Sequence, residues 1–346
     1  MNTDTARADF AAFLDDLRAA PRTWLVTGAA GFIGSHLVET LLEAGQTVRG
    51  LDNLSTGSMR NVEVVRRSGP DRYTFIEGDI RDSKTCAVAC DGVDVVLHQA
   101  ALGSVPRSIA NPQATHASNV NGTLNMLVAA RDADVSRFMF ASSSSVYGDH
   151  PGLPKVEDKV GTPLSPYAVS KRTAELYART FFDHYGLQTI GLRYFNVFGP
   201  RQDPAGPYAA VLPKWVDTLL AGERCTVNGD GETSRDFCYI RNVVQANLRA
   251  ALAPAEAAGC VYNIAVGSRT TLNDLYRAIG DSLVEAGALD TVPEPVYGAF
   301  RPGDVRHSLA DTAKARAALG YAPTHAIGDG LREALEWYTR TAPHLS

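Results

Sequence analysis

The chain has 346 residues, of which 45% are hydrophobic and 21% charged, and its formal net charge is -5. This length and hydrophobic content allow a large buried core, as one large fold or as two interlocked domains. The mild negative charge gives no reason to expect nucleic acid or an anionic membrane as a partner.

The five cysteines are widely spaced. They include no Cys-x-x-Cys pair and have no histidine pair nearby, which predicts reduced thiols and no metal site. The N-terminus lacks a basic start followed by an apolar stretch, and no apolar run approaches the roughly 18 residues that a membrane span needs. We therefore expect a soluble, cytoplasmic protein.

Residues 1–21 predict an N-terminal helical extension that ends at Pro21. We expect this helix to pack on the main body of the protein, because its apolar residues fall on one side. Those residues are Phe10, Phe13, Leu14 and Leu17.

From residue 22 onwards, short apolar runs alternate with helical stretches. This alternation predicts an α/β fold with a Rossmann-type doubly wound parallel sheet, in which ligands bind beyond the carboxyl ends of the strands. The predicted strands are Trp24–Thr27, Thr47–Leu51, Tyr73–Glu77, Val93–His98, Arg137–Ser142, Gln188–Tyr194 and Cys260–Ala265.

A glycine-rich turn, Gly28-x-x-Gly31-x-x-Gly34, follows the first predicted strand and precedes a predicted helix that includes Phe32 and Ile33. Its glycines let the backbone approach a pyrophosphate, whose charge is favoured at a helix N-terminus. The strand, turn and helix together predict a dinucleotide site.

Asp52 ends the second predicted strand. A carboxylate there can accept both hydroxyls of the adenosine ribose and would repel a 2'-phosphate, which favours NAD over NADP. Asp79-Ile80, after the third strand, either contacts the adenine or begins a helix with Asp79 as its N-cap; the sequence leaves both open. The remaining predicted cofactor residues are Asn53, Gln99, Lys171 and Tyr194.

The pattern loosens from about residue 200, where prolines and glycines accumulate. We predict a helix over Ala209–Ala221 and a hairpin around Asn228–Gly231 in this half. The predicted domains are residues 22–200 for the NAD-binding domain, with 238–267 returning to it, and residues 201–237 and 268–346 for a smaller C-terminal substrate-binding domain.

Four consecutive serines, Ser142–Ser145, close the fifth predicted strand. One hydroxyl there can hydrogen-bond a substrate hydroxyl and shorten the proton path to a base. The run alone does not indicate which serine acts.

Ser165 and Pro166 have the residue types of a helix N-cap and a first helical residue. The helix that they begin would present Tyr167 and Lys171, four residues apart, on one face. An ammonium in that position can lower the pKa of a phenol.

Together these segments resemble the extended short-chain dehydrogenase/reductase superfamily over roughly residues 22–340. Within it, the chain is similar to the nucleotide-sugar 4-epimerases, above all to the branch that acts on UDP-N-acetylhexosamines. Beyond the glycine, serine and Tyr-x-x-x-Lys motifs, the resemblance rests on His98–Ala101, Asn119-x-x-Gly122-Thr123, Leu192–Pro204, Arg235–Phe237 and Gly303–Ser308.

The serine run distinguishes the chain from related enzymes. The 4,6-dehydratases of the superfamily carry an aspartate and a glutamate just before the Val-Tyr-Gly, and the UDP-glucuronate decarboxylases carry a glutamate. Here those positions are Ser144 and Ser145. The resemblance therefore implies reversible oxidation at the sugar C4 without elimination of water.

By the same resemblance, Tyr167 takes the proton of the sugar 4-hydroxyl while the C4 hydride goes to tightly held NAD. Lys171 binds the nicotinamide ribose and lowers the pKa of Tyr167. Ser143 is the implied catalytic hydroxyl, with Ser144 as a near alternative. The 4-keto sugar then turns and takes the hydride back on its other face.

The resemblance also implies substrate contacts from Asn196, Arg235, Arg301 and Asp304, although each arginine could instead form a surface ion pair. Small residues at Gly103 and Ser308, with Gln202, would form a pocket wall that leaves room for an N-acetyl group. Ser143, Ser144 and Tyr167 complete the implied substrate contacts.

We therefore favour a UDP-N-acetylglucosamine 4-epimerase that acts as a homodimer, since family members pair two helices from each subunit, including the Tyr167 helix. The alternatives are a 4-epimerase of UDP-glucose or of UDP-glucuronate or its N-acetyl-uronate analogue. A remote alternative from another class is a catalytically silent NAD-binding scaffold.

Overall fold

The computed structural model describes residues 2–203, 210–300 and 305–341. A seven-stranded sheet forms its centre, with all neighbouring strands parallel in the order β11-β6-β5-β4-β1-β2-β3. Its strands are β1 (Thr23–Thr27), β2 (Thr47–Asp52), β3 (Tyr73–Glu77), β4 (Val95–His98), β5 (Arg137–Ser143), β6 (Thr189–Tyr194) and β11 (Cys260–Ile264). The sequence predicted each of these strands to within two residues at either end.

Both faces of the sheet are buried. Successive side chains of a strand point to opposite faces, and Trp24 and Leu25 of β1 belong to two different core clusters. Val96 and Leu97 of β4 likewise belong to different clusters. Helices therefore cover the sheet on both sides, and the predicted doubly wound Rossmann-type fold is confirmed.

The helices connect the strands and cover the sheet. They are α1 (Thr3–Ala19), α2 (Phe32–Glu43), α3 (Met59–Arg66), α4 (Ser83–Cys90), α5 (Val105–Ala110), α6 (Pro112–His116), α7 (Gly122–Asp132), α8 (Pro166–Tyr185), α9 (Val211–Leu220), α10 (Ile240–Ala251), α11 (Leu272–Glu285), α12 (Ala313–Leu319) and α13 (Ile327–Thr341). A π-helical segment, Ala117–Asn121, joins α6 to α7. Within the described ranges, no helix is both long and apolar enough to cross a membrane.

The predicted hairpin around residues 228–231 is wrong. The strand β8 (Thr226–Asn228) pairs with β13 (Val296–Gly298), and β9 (Ser234–Arg235) pairs with β12 (Thr270–Thr271). The chain does turn here, since Gly229 and Gly231 have φ angles of 69° and 75°. The turn separates two strands that have distant partners, which the local sequence does not reveal. One further pair, β7 (Val197–Phe198) and β10 (Cys238–Tyr239), is parallel.

Helix α1 packs against the core through Leu17, which is buried, and through Phe13. The carbonyl oxygen of Leu17 accepts a hydrogen bond of 2.9 Å from the side-chain amide of Gln46. Arg249 of α10 forms an ion pair with Asp9 and lies over the ring of Phe13. The extension is thus joined to two separate parts of the fold.

Helix α8 is held to the sheet by a buried ion pair. The guanidinium of Arg193 in β6 donates two hydrogen bonds, of 2.8 and 2.9 Å, to the two carboxylate oxygens of Glu175. The hydroxyl of Ser142 in β5 donates a third, of 2.6 Å. Since Glu175 follows Tyr167 and Lys171 at four-residue spacing on α8, this contact fixes the helix face that carries them.

We expect Glu175→Ala to lower the free energy of unfolding by about 3–5 kcal/mol, because it leaves Arg193 buried without its partner. The control is Arg172→Ala, because Arg172 also binds Glu175 but is 35% exposed; its expected loss is below about 1 kcal/mol. Denaturant unfolding at pH 7 measures both losses, and equal losses would contradict the assigned role of the buried pair.

Burial raises the pKa of Glu175, but the hydrogen bonds and charge of Arg193, with bonds from Ser142 and Arg172, outweigh this and hold the pKa below 4.5. A carboxyl group with a lowered folded-state pKa stabilises the fold above its unfolded-state pKa and loses that contribution as the pH falls. The difference between the two variants is therefore expected to shrink below about pH 4.5.

Candidate active site

The glycine-rich turn leaves backbone exposed because side chains do not fit there. Gly28 has a φ of 70°, a conformation that favours glycine. A Cβ atom added at Gly34 would lie 2.0 Å from the carbonyl oxygen of Gly28. Gly31 precedes Phe32, the first residue of α2, and no side chain from the described part of the chain caps this helix. Its N-terminal N–H groups therefore remain available to an anion.

A cavity of about 650 Å³ lies in front of this turn, which is a volume typical of cofactor sites. Its lining includes ten residues predicted from the sequence: Gly28, Gly31, Phe32, Ile33, Gly34, Asp52, Asn53, Ile80, Gln99 and Gly103. It also includes residues that were not predicted, among them Ser55–Ser58, Arg107, Arg201 and Asp203. The turn and the cavity together fit a dinucleotide.

Asp52 is fixed at the end of β2 by two backbone groups. Its carboxylate oxygens accept hydrogen bonds from the N–H groups of Ala30, at 3.0 Å, and Leu54, at 2.8 Å. Burial raises the pKa of Asp52, while these backbone hydrogen bonds lower it. The carboxylate is thereby oriented beside the glycine turn, where the predicted ribose contact requires it.

The alternative that Asp79 is a helix N-cap is wrong, because Asp82 caps α4. The Asp79 carboxylate instead accepts hydrogen bonds from the guanidinium of Arg81 and, at 2.7 Å, from the side-chain amide of Asn53. The hydrogen bond from Arg81 lowers the pKa of Asp79 to about 2. Asp79 is not among the residues that line the cavity, whereas its neighbour Ile80 is.

Tyr194 reaches the cavity only through another side chain. It is buried, and its hydroxyl donates a hydrogen bond of 3.0 Å to the side-chain oxygen of Gln99. The side-chain amide of Gln99 donates to the oxygen of Asn247, at 3.1 Å, and Asn247 donates to the Tyr194 hydroxyl, at 2.9 Å. Tyr194 therefore orients Gln99, which lines the cavity. Asn247 was not predicted, because its position in α10 gives no local signal.

Ser165 and Pro166 begin α8 as predicted, and the Ser165 hydroxyl accepts a hydrogen bond of 3.1 Å from the N–H of Ala168. The Ser143 side chain interacts with Tyr167 and lowers the pKa of its phenol. The Lys171 ammonium lies 5.9 Å from the centre of the Tyr167 ring. The structure thus brings together the three predicted catalytic side chains.

The environment shifts the pKa of both groups on α8. Burial raises the pKa of Tyr167, and the hydrogen bond with Ser143 lowers it by less. Burial lowers the pKa of Lys171 to about 8, and its ammonium donates a hydrogen bond of 2.9 Å to the carbonyl oxygen of Ala141. The predicted lowering of the tyrosine pKa by Lys171 stays a prediction.

The four serines have different surroundings. Ser142 bonds Glu175, whereas the Ser143 oxygen accepts a hydrogen bond of 3.2 Å from the N–H of Ser145 and also contacts Tyr167. The Ser145 hydroxyl is buried and has no hydrogen-bond partner among the described residues. Ser144 begins the short 3₁₀ turn that follows β5. Of the four, Ser143 is the serine in contact with the candidate base.

A second group of predicted residues gathers around the backbone of Ser234 and Asp236. The side-chain amide of Asn196 donates to the carbonyl oxygen of Asp236, at 3.2 Å, and the guanidinium of Arg235 donates to that of Ser234, at 2.9 Å. The Ser308 N–H donates to the same Ser234 oxygen, at 3.0 Å. Three predicted substrate residues are therefore neighbours in space.

Three predicted substrate residues lie elsewhere or outside the structure's range. The side-chain amide of Gln202 donates a hydrogen bond of 3.2 Å to the carbonyl oxygen of Val197. Arg301 and Asp304 lie outside the described residues. Their predicted substrate contacts stay predictions.

The Asp236 carboxylate, whose role was not predicted, joins separate segments around this second group. It accepts hydrogen bonds of 3.0 Å from the N–H groups of Val266 and Gly267, and one of 3.3 Å from Ala310. Burial raises the pKa of Asp236 to about 6, against the lowering effect of these bonds. The Arg-Asp-Phe motif marked this position in the sequence, but nothing in it indicated the distant partners.

No group of three or more His, Cys, Asp or Glu side chains that could hold a metal ion occurs within residues 2–203, 210–300 and 305–341. Ser143, Tyr167 and Lys171 form the candidate catalytic set, and none of them is among the residues that line the cavity. Such a set can exchange a proton with a hydroxyl next to a bound cofactor.

Three known proteins show the relation of the chain to characterised enzymes. A UDP-glucose 4-epimerase of Mycolicibacterium smegmatis is 38% identical over 316 residues, which cover 91% of this chain and 97% of that protein. A UDP-N-acetylglucosamine 4-epimerase from Methanobrevibacter ruminantium, solved with UDP-N-acetylmuramic acid, is 37% identical with a TM-score of 0.86. A Thermus thermophilus UDP-glucose 4-epimerase, solved with NAD, is 33% identical with a TM-score of 0.80. Each of these structural matches covers 92% of this chain and 99% of the other.

The family model of the NAD dependent epimerase/dehydratase family matches residues 24–265. This range contains the glycine turn, Asp52, the serine run and the Tyr167 helix. The chain therefore belongs to the NAD-dependent epimerase/dehydratase family.

Proposed function

We propose that this protein is a UDP-N-acetylglucosamine 4-epimerase, which interconverts UDP-GlcNAc and UDP-GalNAc through a transient 4-keto sugar. The observation that carries the epimerase reaction is the contact of Tyr167 with Ser143 at a strand end whose serine run contains no carboxylate. Because C4 has no acidic C–H bond, its inversion requires a transient ketone, and the proposal assigns the hydroxyl proton to Tyr167.

NAD, when bound, supplies the reversible hydride acceptor for this oxidation. The Tyr167 oxygen holds the proton of the sugar 4-hydroxyl, and the Ser143 hydroxyl orients that group. Lys171, with a pKa of about 8, is mostly charged at pH 7 and favours the ionised form of Tyr167. The carboxylate of Glu175, on the same helix as Tyr167, is paired with Arg193. Ser144 and Ser145 occupy the positions where the related dehydratases carry the acid and base for water elimination.

Residues 201–237 and 268–346 are proposed to form the substrate-binding domain. Asn196 and Arg235 would contact the diphosphate of the sugar nucleotide, for which the forked donors of arginine are suited. Their shared position beside Ser234 and Asp236 supports this assignment. Arg301 and Asp304 are predicted to belong to the same group.

The choice of the N-acetylated sugar rests on the pocket wall. A Cβ atom added at Gly103 would meet no atom within 4 Å, and Ser308 is small. The similarity to a UDP-N-acetylglucosamine 4-epimerase supports this choice. The similarity to the UDP-glucose 4-epimerase of Mycolicibacterium smegmatis supports UDP-glucose instead. UDP-glucose and UDP-glucuronate are therefore the competing substrates.

We expect the purified protein to convert UDP-GlcNAc to UDP-GalNAc without added NAD, and Tyr167→Phe to lose about 100-fold or more of this rate. The variant should keep bound NAD, since it removes only a hydroxyl. The matched control is Tyr185→Phe, at the exposed end of the same helix, which should turn over normally. Chromatography of the sugar nucleotides measures the rates.

Normal turnover by Tyr167→Phe would show that Tyr167 is not the base. If the NAD-loaded parent protein converted none of UDP-GlcNAc, UDP-glucose, UDP-galactose and UDP-glucuronate, the silent scaffold would be the better interpretation. Conversion of UDP-glucose or UDP-glucuronate alone would support the epimerase reaction and change the assigned substrate.

We expect Ser308→Tyr to reduce kcat/KM for UDP-GlcNAc by about 10-fold or more, because the phenol fills the space assigned to the N-acetyl group. Activity on UDP-glucose should change much less, and Ser308→Ala should leave both activities close to the parent values. Initial rates on the two substrates measure these effects. Full activity of Ser308→Tyr on UDP-GlcNAc would contradict the assignment of Ser308 to the pocket wall.

A homodimer through α8 is part of this proposal. Leu176 of α8 is 54% exposed, and Val169 on the same helix and Ile109 of α5 are also exposed apolar residues. Val169 also lines a groove of about 390 Å³ between α6 and α8. Exposed apolar patches of this kind mark contact surfaces, and the family resemblance indicates a second copy of the chain as the occupant.

We expect Leu176→Asp to shift the protein from dimer to monomer at micromolar concentration, because it places a charge at the centre of the proposed contact. Val88→Asp is the matched control, since Val88 is 66% exposed on α4, away from that patch. Light scattering after size-exclusion chromatography measures the mass. A monomeric parent, or two variants with the same mass as the parent, would contradict the contact.

A further inference from the structure

Arg201 and Asp203 line the cofactor cavity, and the segment of residues 200–203 is attached to α2. The ring Nε2 of His36 donates a hydrogen bond of 3.0 Å to the carbonyl oxygen of Pro200. The guanidinium of Arg201 donates one of 2.6 Å to the Glu39 carboxylate. Burial lowers the pKa of His36 to about 3, so the ring is neutral at pH 7 and this contact does not titrate near neutrality.

Arg201 has an unusual environment for a cation. Its side chain is only 11% exposed, and its φ angle of 67° is rare for a residue other than glycine. One guanidinium nitrogen, Nη2, binds Glu39, whereas Nη1 is buried without a hydrogen-bond partner among the described residues. A buried cationic donor without a partner is costly, and backbone strain of this kind is typical of functional sites.

The cavity supplies an anion that would satisfy this group. A dinucleotide pyrophosphate carries two negative charges, and the turn from Gly28 to Gly34 contains no charged side chain. Among the described residues that line the cavity, the basic ones are Arg107 and Arg201. Arg201 is attached to α2, the helix that begins at the glycine turn and whose N-terminal N–H groups would hold a pyrophosphate. The guanidinium fork suits phosphate oxygens better than a point charge does.

We propose that Arg201 is a further cofactor-binding residue, which donates hydrogen bonds to the NAD pyrophosphate while Glu39 and His36 hold residues 200–203 against α2. The segment that includes the pocket-wall residue Gln202 then also closes over the cofactor. NAD retention and the shape of the sugar pocket thereby depend on one short segment. This assignment does not depend on which sugar nucleotide the protein uses.

The test is a calorimetric titration of the cofactor-depleted protein with NAD and with ADP-ribose, which has the pyrophosphate but no nicotinamide. We expect Arg201→Ala and Arg201→Gln to raise the Kd for both ligands by 10-fold or more. The matched control is Arg241→Ala. Arg241 is exposed and its charge, like that of Arg201, lowers the pKa of His36 in α2, but it does not line the cavity. Its Kd values should stay within about twofold of the parent.

The salt dependence gives a second measurement that a loss of folding would not reproduce. Because a charge contact is screened by salt, the ratio between the Kd of Arg201→Gln and that of the parent should fall as NaCl rises from 50 to 500 mM. Circular dichroism confirms that the variants are folded.

Two results would overturn the proposal. One is NAD affinity within twofold of the parent in both Arg201 variants. The other is weaker NAD binding with unchanged ADP-ribose binding, which would move the contact away from the pyrophosphate.

Discussion

The buried ion pair between Glu175 and Arg193 is the constraint on which the site geometry depends. Taking two charges out of water is expensive, and the cost is recovered only when the geometry is good and the other donors and acceptors are satisfied. Here the pair is bidentate, Ser142 donates to the same carboxylate, and Arg193 also donates to the carbonyl oxygen of Glu157, at 2.8 Å. These contacts tolerate little displacement of α8 relative to β5 and β6.

The ion pair affects the position of the candidate catalytic side chains because of the helix repeat. Glu175, Lys171 and Tyr167 lie on one face of α8 at four-residue spacing, and Ser143 follows Ser142 directly in β5. A fixed Glu175 thus sets both the height of Tyr167 over the strand end and its distance from Ser143. The contact of Lys171 with the Ala141 carbonyl oxygen adds a second link between helix and strand. Catalytic groups on rigid elements are held more accurately than groups on loops.

The central sheet and ten of the residues that line the cavity at the glycine turn could be predicted because their signals are local. Apolar runs indicate strands, and the glycine turn and Asp52 stand at strand ends whatever the distant contacts are. The hairpin prediction failed because it depended on distant partners. The turn at Gly229 and Gly231 suggested a hairpin, but the flanking strands pair with β12 and β13.

The substrate half shows the same limit. Asn196, Arg235 and Ser308 come together because backbone hydrogen bonds join segments more than 30 residues apart in the sequence. The Asp236 carboxylate fixes this arrangement by binding the backbone of two further segments. A single sequence marks such a residue only as part of a motif, since its partners are backbone groups that any residue could supply.

Substitutions are therefore expected to have different effects in the catalytic half and in the substrate half of the site. The proposed proton-transfer groups stand on a helix and a strand that a buried ion pair holds in place, so substitutions nearby are expected to act on stability and rate together. The proposed wall of the sugar pocket consists of Gly103, Gln202 and Ser308, which lie on separate connecting segments. Substitutions there can change the room for the sugar without disturbing the sheet. A family can therefore keep one oxidation chemistry while its members accept different sugars, which is why the reaction follows from this fold more directly than the substrate does.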